Sequence, residues 1–495
     1  MKCKIFWFYC LCLMLAASWG YSQSDLWYLT RGGQNLDQAW GVDVDSSGNI
    51  YFATCEIPLF SYFFNIYLYK FDQSGNEIWE SQPWGGDFND KAFITIVKAP
   101  YVYMAGRTDK NINLNSADAF VLAFNMNNGE LVWQYTWDGG AGYEEVDGLV
   151  VEEDGIYISG WTAGVSTSND FLLQKLSLDG QLIWSQTWGT DKWDEANGHI
   201  VVDENHIYVA GRINGTAQLS FDGDAVLACF RRLDGSYQWH KTWGGSSYDN
   251  ASGMTASLDS YLYLVGVTYN YGNGSQIFLL KYTKIGELIW SSQWGGSKGE
   301  FARAIVADGD SIIYIAGKTD SYGAGANDIV LLKFNSDGTL RWDKTWGGKD
   351  TDASHDLVAY GDYLYIAGDT QSYGAGKWDA LLLKLNRRTR DFPTSVTEIN
   401  ESPRTFHLGQ NYPNPFNPET VIKYQLSRAS EVEISIFNLL GQKVTTLVRA
   451  NQTAGLHKTI WNGKDKWGQP VASGFYLYQL KSSDFVAVKK MVLLR

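Results

Sequence analysis

One phrase recurs seven times along this chain at nearly constant spacing, and no other feature constrains the fold as much. Each copy begins with a tryptophan and runs into a turn of the Trp-Gly-Gly kind, as in W-D-K-T-W-G-G from Trp342 to Gly348. The first tryptophans of the copies are Trp27, Trp79, Trp133, Trp184, Trp239, Trp290 and Trp342. A tyrosine that opens a Y-x-A-G-like stretch keeps the same interval, at Tyr51, Tyr103, Tyr157, Tyr208, Tyr263, Tyr314 and Tyr365. A period of about 50 residues over most of a chain indicates a repeat architecture.

Each repeat contains four strand signals. In the unit that begins at Ala302 they are A-R-A-I-V-A-D, I-I-Y-I-A-G-K, D-I-V-L-L-K-F-N and T-L-R-W-D-K-T-W, and Gly, Asp or Ser turns separate them. Four antiparallel strands per unit is the organisation of a β-propeller blade. We therefore predict an all-β, seven-bladed β-propeller over residues 23–386. Six or eight blades is the alternative if one end of the repeat region is misjudged.

The two ends of the repeat region complement each other. After Ala380–Asn386 the expected tryptophan strand is missing, whereas Leu26–Gly33 supplies such a strand with no blade before it. We expect this N-terminal strand to complete the seventh blade and close the ring, because closure removes exposed sheet edges. The repeats resemble the bacterial β-propeller repeat family with the W-G-G…D…I-Y-x-A-G signature. That resemblance implies the fold and no particular function.

The N-terminus has the pattern of a secretory signal peptide. Two lysines precede an apolar run from Ile5 to Ala17, and small residues follow it. A membrane anchor is the alternative, but the run is shorter than the roughly 20 apolar residues that a spanning helix needs. We predict that residues 1–22 are removed. Cys55 and Cys229 then remain, and a single pair so far apart in a large protein favours buried thiols over a disulfide.

The composition changes after the repeats. Five of the nine prolines fall between Pro393 and Pro418, and residues 387–405 show little apolar periodicity, so they are predicted to form a linker. Residues 406–495 contain five further strand signals, which predict a small C-terminal β-sandwich.

Several separated motifs in this last segment occur in a recognisable order. They are L-G-Q-N-Y-P-N-P-F-N-P, N-L-L-G-Q-K-V, S-G-F-Y-L-Y-Q-L and the terminal K-K-M-V-L-L-R. Together they resemble the type A C-terminal sorting domain of the type IX secretion system. The resemblance implies that the secretion machinery is a partner and that the protein is secreted or displayed on the outer surface of a Gram-negative bacterium. A fixed accessory sandwich is the alternative.

The charge of the chain limits its partners. With a net charge of −14 and a pI near 4.9, the protein as a whole repels phosphate backbones and anionic lipid, which argues against nucleic-acid binding. No sequence pattern indicates a cofactor.

An acid follows the Trp-Gly-Gly turn in every repeat. These acids are Asp37, Asp90, Glu144, Asp194, Asp249, Glu300 and Asp352. They enter the innermost strands at one end of the propeller, where a ring of carboxylates could hold a cation. We favour a structural role, because a repeated acid commonly accepts backbone N–H bonds from its own turn. No metal site and no catalytic residue is predicted, since every acid that the sequence places at this end obeys the repeat.

Aromatic residues that depart from the repeat are the best candidates for ligand binding. Tyr143, Trp161, Trp193 and Tyr248 map to loops at the same end, where one patch could stack on sugar rings. Packing between blades is the alternative. We therefore predict a binding module for carbohydrate or another extracellular polymer. A protein-interaction scaffold or adhesin ranks second, and a polysaccharide-degrading enzyme ranks third.

Overall fold

The computed structural model contains only β-strands as regular elements in the residues it describes. These are residues 26–33, 35–58, 61–110, 116–140, 142–163, 168–215, 222–258, 260–269, 274–309, 311–389, 391–393, 407–409, 411, 413–426, 428–453, 455–482 and 485–494. The all-β prediction is confirmed. Within these ranges no helix is long and apolar enough to span a membrane. The predicted signal peptide, residues 1–22, and most of the predicted linker lie outside them.

The chain divides into two compact units, which are described separately. The strands of the repeat unit are β1 (Trp27–Arg31), β2 (Asp37–Val44), β3 (Ile50–Glu56), β4 (Asn65–Phe71), β5 (Glu77–Glu80), β6 (Asp90–Lys98), β7 (Tyr101–Asp109), β8 (Ala117–Asn125), β9 (Leu131–Trp137), β10 (Glu144–Glu152), β11 (Gly155–Ala163), β12 (Asn169–Leu176), β13 (Leu182–Trp188), β14 (Trp193–Glu195), β15 (Ile200–Val202), β16 (His206–Gly215), β17 (Asp224–Arg231), β18 (Tyr237–Trp243), β19 (Asp249–Ala256), β20 (Tyr261–Thr268), β21 (Gln276–Thr283), β22 (Leu288–Trp294), β23 (Glu300–Asp308), β24 (Ile312–Thr319), β25 (Asp328–Asn335), β26 (Leu340–Trp346), β27 (Asp352–Tyr360), β28 (Tyr363–Thr370) and β29 (Asp379–Asn386).

These strands form seven antiparallel sheets, each built from one repeat. The strand orders are β2-β3-β4-β5, β6-β7-β8-β9, β10-β11-β12-β13, β14-β16-β17-β18 with β15 also on β16, β19-β20-β21-β22, β23-β24-β25-β26 and β1-β29-β28-β27. The strands that begin at or beside the repeated acids, which we call the inner strands, are β2, β6, β10, β14 with β15, β19, β23 and β27, and each contacts the inner strand of the next sheet. The inner strand of the last sheet, β27, contacts that of the first sheet, β2.

The two landmarks of the repeat meet inside each sheet. In all seven sheets the repeated tyrosine packs against the first tryptophan of the phrase, with ring centroids 5.9 to 6.4 Å apart. In six of the seven sheets that tryptophan also packs against a turn glycine of the following sheet, at Gly75, Gly129, Gly180, Gly235, Gly286 and Gly338. Gly129, for example, has a φ of +72°, and a Cβ there would lie 2.7 Å from the Trp79 ring. Both the left-handed backbone and the ring therefore require glycine.

The seventh sheet combines the two ends of the repeat region. Strand β1 pairs antiparallel with β29, so that Trp27 lies opposite Lys384 and Arg31 opposite Ala380. Trp27 packs on Tyr365 at 6.4 Å, as its counterparts do in the other sheets. It also covers Gly75 of the first sheet, where a Cβ would lie 3.1 Å from its ring. The N-terminal strand thus makes both contacts that a repeat tryptophan makes.

Middle strands carry most of the apolar core, because they are buried on both faces. Strand β29 is buried along its whole length, whereas the outer strand β22 shows an exposed or half-exposed side chain at every position. Cys55 and Cys229 lie on middle strands, and both are buried and unbonded. The prediction of two free thiols is confirmed.

The second unit contains two sheets. Its strands are β30 (His407–Leu408), β31 (Thr420–Leu426), β32 (Ser430–Asn438), β33 (Lys443–Gln452), β34 (Gly455–Trp461), β35 (Gly474–Ser482) and β36 (Phe485–Leu493). The sheet orders are β30-β31-β34 and β33-β32-β35-β36. Side chains of both sheets, including Ile422 and Trp461 from the first and Ile434 and Tyr478 from the second, form one buried cluster. Two sheets that share a core are the arrangement of a β-sandwich.

Removal of the β1 core contacts should destabilise the repeat unit. Tyr28 is 3% exposed and packs on Trp346 and Tyr373 with centroid distances of 5.1 and 5.4 Å. Tyr28→Ala should therefore lower the free energy of unfolding by about 3–5 kcal/mol. Thr30→Ala, a half-exposed position on the same strand, should change it by less than about 1 kcal/mol. Denaturant unfolding would measure both values, and equal effects would contradict the packing role of β1.

Candidate functional site

The repeated acids are bound to the turns that precede them. In six repeats one carboxylate oxygen accepts the backbone N–H of the residue four positions earlier. The donors are Gly33 to Asp37, Gly86 to Asp90, Thr190 to Asp194, Gly245 to Asp249, Gly296 to Glu300 and Gly348 to Asp352. Most of these acids are fully buried. Their shared geometry is that of a turn cap, with each oxygen directed at its own backbone.

Glu144 is the exception. The donor that its turn would supply, the N–H of Gly140, bonds instead to Asp138 at 2.8 Å. Oxygens of Asp118, Asp138 and Glu144 lie within 4.8 Å of one another. The ammonium of Lys110 lies 2.5 Å from Asp118 and 2.8 Å from Asp138, so it neutralises two of the three carboxylates. These are the residues of the described part that could approach a metal ion together.

Burial and the neighbouring acids raise the pKa of Glu144 to about 7, against the action of a hydrogen bond from Thr162. Its Oε2 atom is buried without a hydrogen-bond partner among the described residues. A neutral carboxyl is therefore favoured at this position in the folded protein.

The inner strands share an irregularity just after the repeated acid. In six of them the third residue after the acid forms a β-bulge, which interrupts the register with the second strand. In the remaining sheet the strand is interrupted altogether between β14 and β15. A bulge turns a side chain out of the regular pleat. The seven residues at this position, which we call the axial ring, are Trp40, Phe93, Asp147, Asn197, Ser252, Arg303 and His355.

Contacts between sheets show that side chains of the axial ring lie close to one another. Trp40 stacks on His355 of the seventh sheet with a centroid distance of 4.0 Å, and it meets Phe93 of the second sheet at 5.3 Å. The guanidinium of Arg303, in the sixth sheet, lies 5.6 Å from the Trp40 ring in the first. Arg303 also acts on the ionisation of Asp147, three sheets away. Residues distant in sequence thus meet near the axis around which the inner strands are arranged.

Two buried ion pairs flank one side of the ring. Arg107 pairs with Glu145, and Arg212 pairs with Glu195 at 3.1 Å. Each guanidinium also lies over a tyrosine ring, at 5.2 Å for Arg107 on Tyr143 and 5.1 Å for Arg212 on Tyr248. The carboxylate and the ring hold each guanidinium in place.

Asp147 lies beside these pairs. Burial raises its pKa well above the usual range, and the charges of Glu145 and Glu195 act in the same direction, whereas Arg303 opposes them. One of its oxygens has no hydrogen-bond partner among the described residues. Asp147 is therefore held as a neutral carboxyl that can donate a hydrogen bond.

Further carboxylates lie deeper along the inner strands. Asp356 accepts the backbone N–H of Val42 at 2.9 Å, and Asp43 accepts that of Val97 at 2.7 Å. Burial raises the pKa of Asp43 to about 7, against these backbone bonds. The bonds cross from one inner strand to the next, so both acids fasten neighbouring sheets to each other.

The four predicted aromatic residues do not form a single patch. Tyr143 and Trp161 stack with a centroid distance of 4.8 Å and an interplanar angle of 6°. Trp161 is only 6% exposed, so it packs beneath Tyr143 and offers no open face to a sugar. Tyr248 contacts Tyr269 and Arg212 instead. Trp193 is half-buried and makes no ring contact within the described ranges.

Several acids near the axial ring that break the repeat were not predicted from the sequence. Glu145, Asp147, Glu195 and Asp369 have no acidic counterpart in most repeats, and Asp369 pairs with His355. An alignment of the seven repeats does contain a signal for this site. Two residues after the repeated acid, five of the seven repeats carry alanine; one residue further on, all seven residues differ.

Comparisons with known proteins agree with the fold. Residues 310–340 match a family described as a domain of unknown function (DUF5122) beta-propeller, and residues 416–484 match the FlgD Ig-like domain. No curated protein matches this sequence. The chain contains a β-propeller repeat and an Ig-like domain.

Several solved structures are similar to the chain at low sequence identity. The WD40 beta propeller domain of Doa1 aligns with a TM-score of 0.46 and 12% identity, over 73% of this chain and 96% of that one. Quinohemoprotein alcohol dehydrogenase from Comamonas testosteroni aligns with a TM-score of 0.40 and 11% identity, over 78% and 79%. The Neurospora crassa Pan2 WD40 domain aligns with a TM-score of 0.37 and 10% identity, over 60% and 90%.

The raised pKa of Glu144 predicts a pH-dependent penalty. The pKa of this carboxyl is 4.5 in the unfolded chain and about 7 in the folded protein. The group therefore contributes stability below about pH 4.5, and this contribution is lost as the pH rises through about 7. Glu144→Gln removes this loss. The melting temperature of the variant, relative to the unchanged protein, should therefore be higher at pH 8 than at pH 5, by the equivalent of about 2 kcal/mol.

Glu300→Gln is the matched control. Both oxygens of Glu300 accept hydrogen bonds, from Gly296 at 3.2 Å and from Thr319 at 3.1 Å, so this substitution should destabilise the protein at both pH values. If Glu144→Gln changed the melting temperature equally at pH 5 and pH 8, the raised pKa of Glu144 would be contradicted.

Proposed function

We propose that the repeat unit is a binding module and that it takes a carbohydrate at the axial ring. The observation that carries the proposal is the diversity of the ring. The acid at the start of the inner strand recurs in all seven repeats and the alanine two residues after it in five, yet the position turned toward the axis holds seven different side chains. A purely structural position would be filled alike in equivalent repeats. An asymmetric ligand on the axis needs a different contact from each sheet.

The chemistry of the ring suits a polyol. Trp40 and Phe93 supply aromatic surface, and Asn197 and Asn250 supply amides that lie 3.5 Å apart. Asp147 and the two Arg–Glu pairs add donors and acceptors in fixed orientations. Aromatic faces combined with a few oriented polar groups are the usual composition of a small-molecule or sugar site. The order of the sheets supports a seven-bladed propeller, closed by β1, as the frame of this site.

A tryptophan substitution tests the proposed site. Trp40→Ala should weaken binding of a glycan, identified on a glycan array, by about 1–3 kcal/mol, the size of one aromatic stacking contact. Trp84→Ala removes an equally half-buried tryptophan that contacts Phe120 and Gln134 away from the ring, and it should leave binding unchanged. Calorimetric titration measures both affinities, with melting curves to verify folding. Equal affinities for the two variants would place the sugar elsewhere.

A second candidate function is hydrolysis of the bound glycan. Asp147, kept neutral beside Glu145 and Glu195, has the ionisation of a general acid near carboxylates. The same titration mixtures distinguish the two functions. Glycan of unchanged chain length after long incubation supports binding alone, whereas shortened products support an enzyme.

We further propose that the C-terminal unit directs export through the type IX secretion system, to a secreted or surface location. The ordered motifs of residues 406–495 support this proposal, as does the predicted signal peptide. A chain truncated after Ser402 should remain in the periplasm of a host with this system, because it lacks the export signal. Cell fractionation measures its location, with the full chain as the control. Surface display of the truncated chain would refute the proposal.

A further inference from the structure

Cations slightly outnumber carboxylates at the variable positions of the axial site, although the chain as a whole is acidic. Three positions of each repeat form the axial site. They are the residue directly after the repeated acid, the axial residue itself, and the second-strand residue that pairs with the first of these. They hold five permanent cations, Lys91, Arg107, Arg212, Arg303 and Lys318, and four carboxylates, Glu145, Asp147, Glu195 and Asp369. The whole chain has 40 Lys and Arg against 54 Asp and Glu. Positive charge is therefore concentrated here.

Three of these four carboxylates already have a basic partner. Glu145 and Glu195 neutralise Arg107 and Arg212, and Asp369 pairs with His355. Asp147 is held neutral by burial and by its acidic neighbours. None of these four acids forms an ion pair with a cation of the sixth sheet in the part of the chain that the structure describes.

Arg303 and Lys318 are the cations of that sheet. Neither forms an ion pair or hydrogen bond with any residue that the structure describes, and Arg303 is exposed. Each lies on an aromatic ring, with Arg303 5.6 Å from Trp40 and Lys318 5.0 Å from Phe301. Burial, and then the charge of Arg303, lowers the pKa of Lys318, although Asp320 and Asp369 oppose this shift. Two cations that repel each other, one of them exposed to solvent, favour the binding of an anion.

We propose that the carbohydrate is an acidic polysaccharide, and that Arg303 and Lys318 bind its anionic group. This inference rests on the proposed function. A guanidinium stacked on a ring keeps its N–H groups free for a carboxylate or sulfate, which it can bind in a bidentate manner. The shared chemistry is an anionic oxygen group on a sugar, either the carboxylate of a uronic acid or a sulfate ester. The rings of Trp40 and Phe301 hold the two cations in position for this group.

The test compares polymers that differ in charge. Polygalacturonate and alginate carry carboxylates, dextran sulfate carries sulfates, and dextran and glucomannan are neutral. The full chain should bind an acidic polymer, and Arg303→Gln and Lys318→Gln should each weaken that binding about ten- to a hundredfold, since a charge-assisted hydrogen bond is lost. Arg341→Gln removes an exposed arginine from the outer strand β26 and should have no effect. Preference between the carboxylated and sulfated polymers identifies the group.

The outcomes separate this inference from the proposed function. Binding of a neutral polymer that exceeds binding of every acidic one overturns the inference and leaves a carbohydrate module. Equal losses for Arg303→Gln and Arg341→Gln on an acidic polymer also overturn it, because the effect would then come from net charge. Binding of no polymer by the full chain rejects both. Melting curves of each variant exclude a loss caused by misfolding.

Discussion

The repeat unit depends on one contact, that of a tryptophan with a glycine of the next sheet. Because the glycine has no Cβ and adopts a left-handed φ, the neighbouring sheet can approach the indole ring closely. A tyrosine of the tryptophan's own sheet supports its other side. The contact recurs at six of the seven junctions between sheets, where it positions each sheet against its predecessor. Trp27 supplies the same contact across the junction between the last sheet and the first.

This dependence explains why the fold was predictable. The tryptophan, the tyrosine and the turn glycine are the residues that keep the period, and they keep it because they form one contact. The four strand signals of the unit at Ala302 correspond to β23–β26, and only three of the eight ends differ, by one or two residues. The structural role expected for the repeated acids likewise follows from the spacing, because an acid four residues after a turn N–H can accept its hydrogen bond.

The site was predictable only in part, for a physical reason. A period identifies equivalent residues, but it does not identify neighbours across a ring. Asp147, Arg303 and His355 occupy the same column, yet their meeting depends on the bulge that turns them toward the axis and on the angle between sheets. The loop aromatics, by contrast, were chosen by proximity in sequence to the acids. Trp161 illustrates the error, since the strand pairing that brings it beside Tyr143 also buries it.

The pairing of β1 with β29 has a mechanical consequence. Trp27 lies opposite Lys384, so the chain enters the last sheet and leaves it at the same end of this strand pair, and that end is opposite the one where the inner strands begin. Tension applied through the two exits would load the backbone hydrogen bonds of the pair one after another, starting at Trp27, rather than all together. The closing strand would therefore peel at low force, while the axial ring, at the far end, would carry none of the load. A protein held by these two exits would yield first at the β1–β29 pair and last at the axial ring.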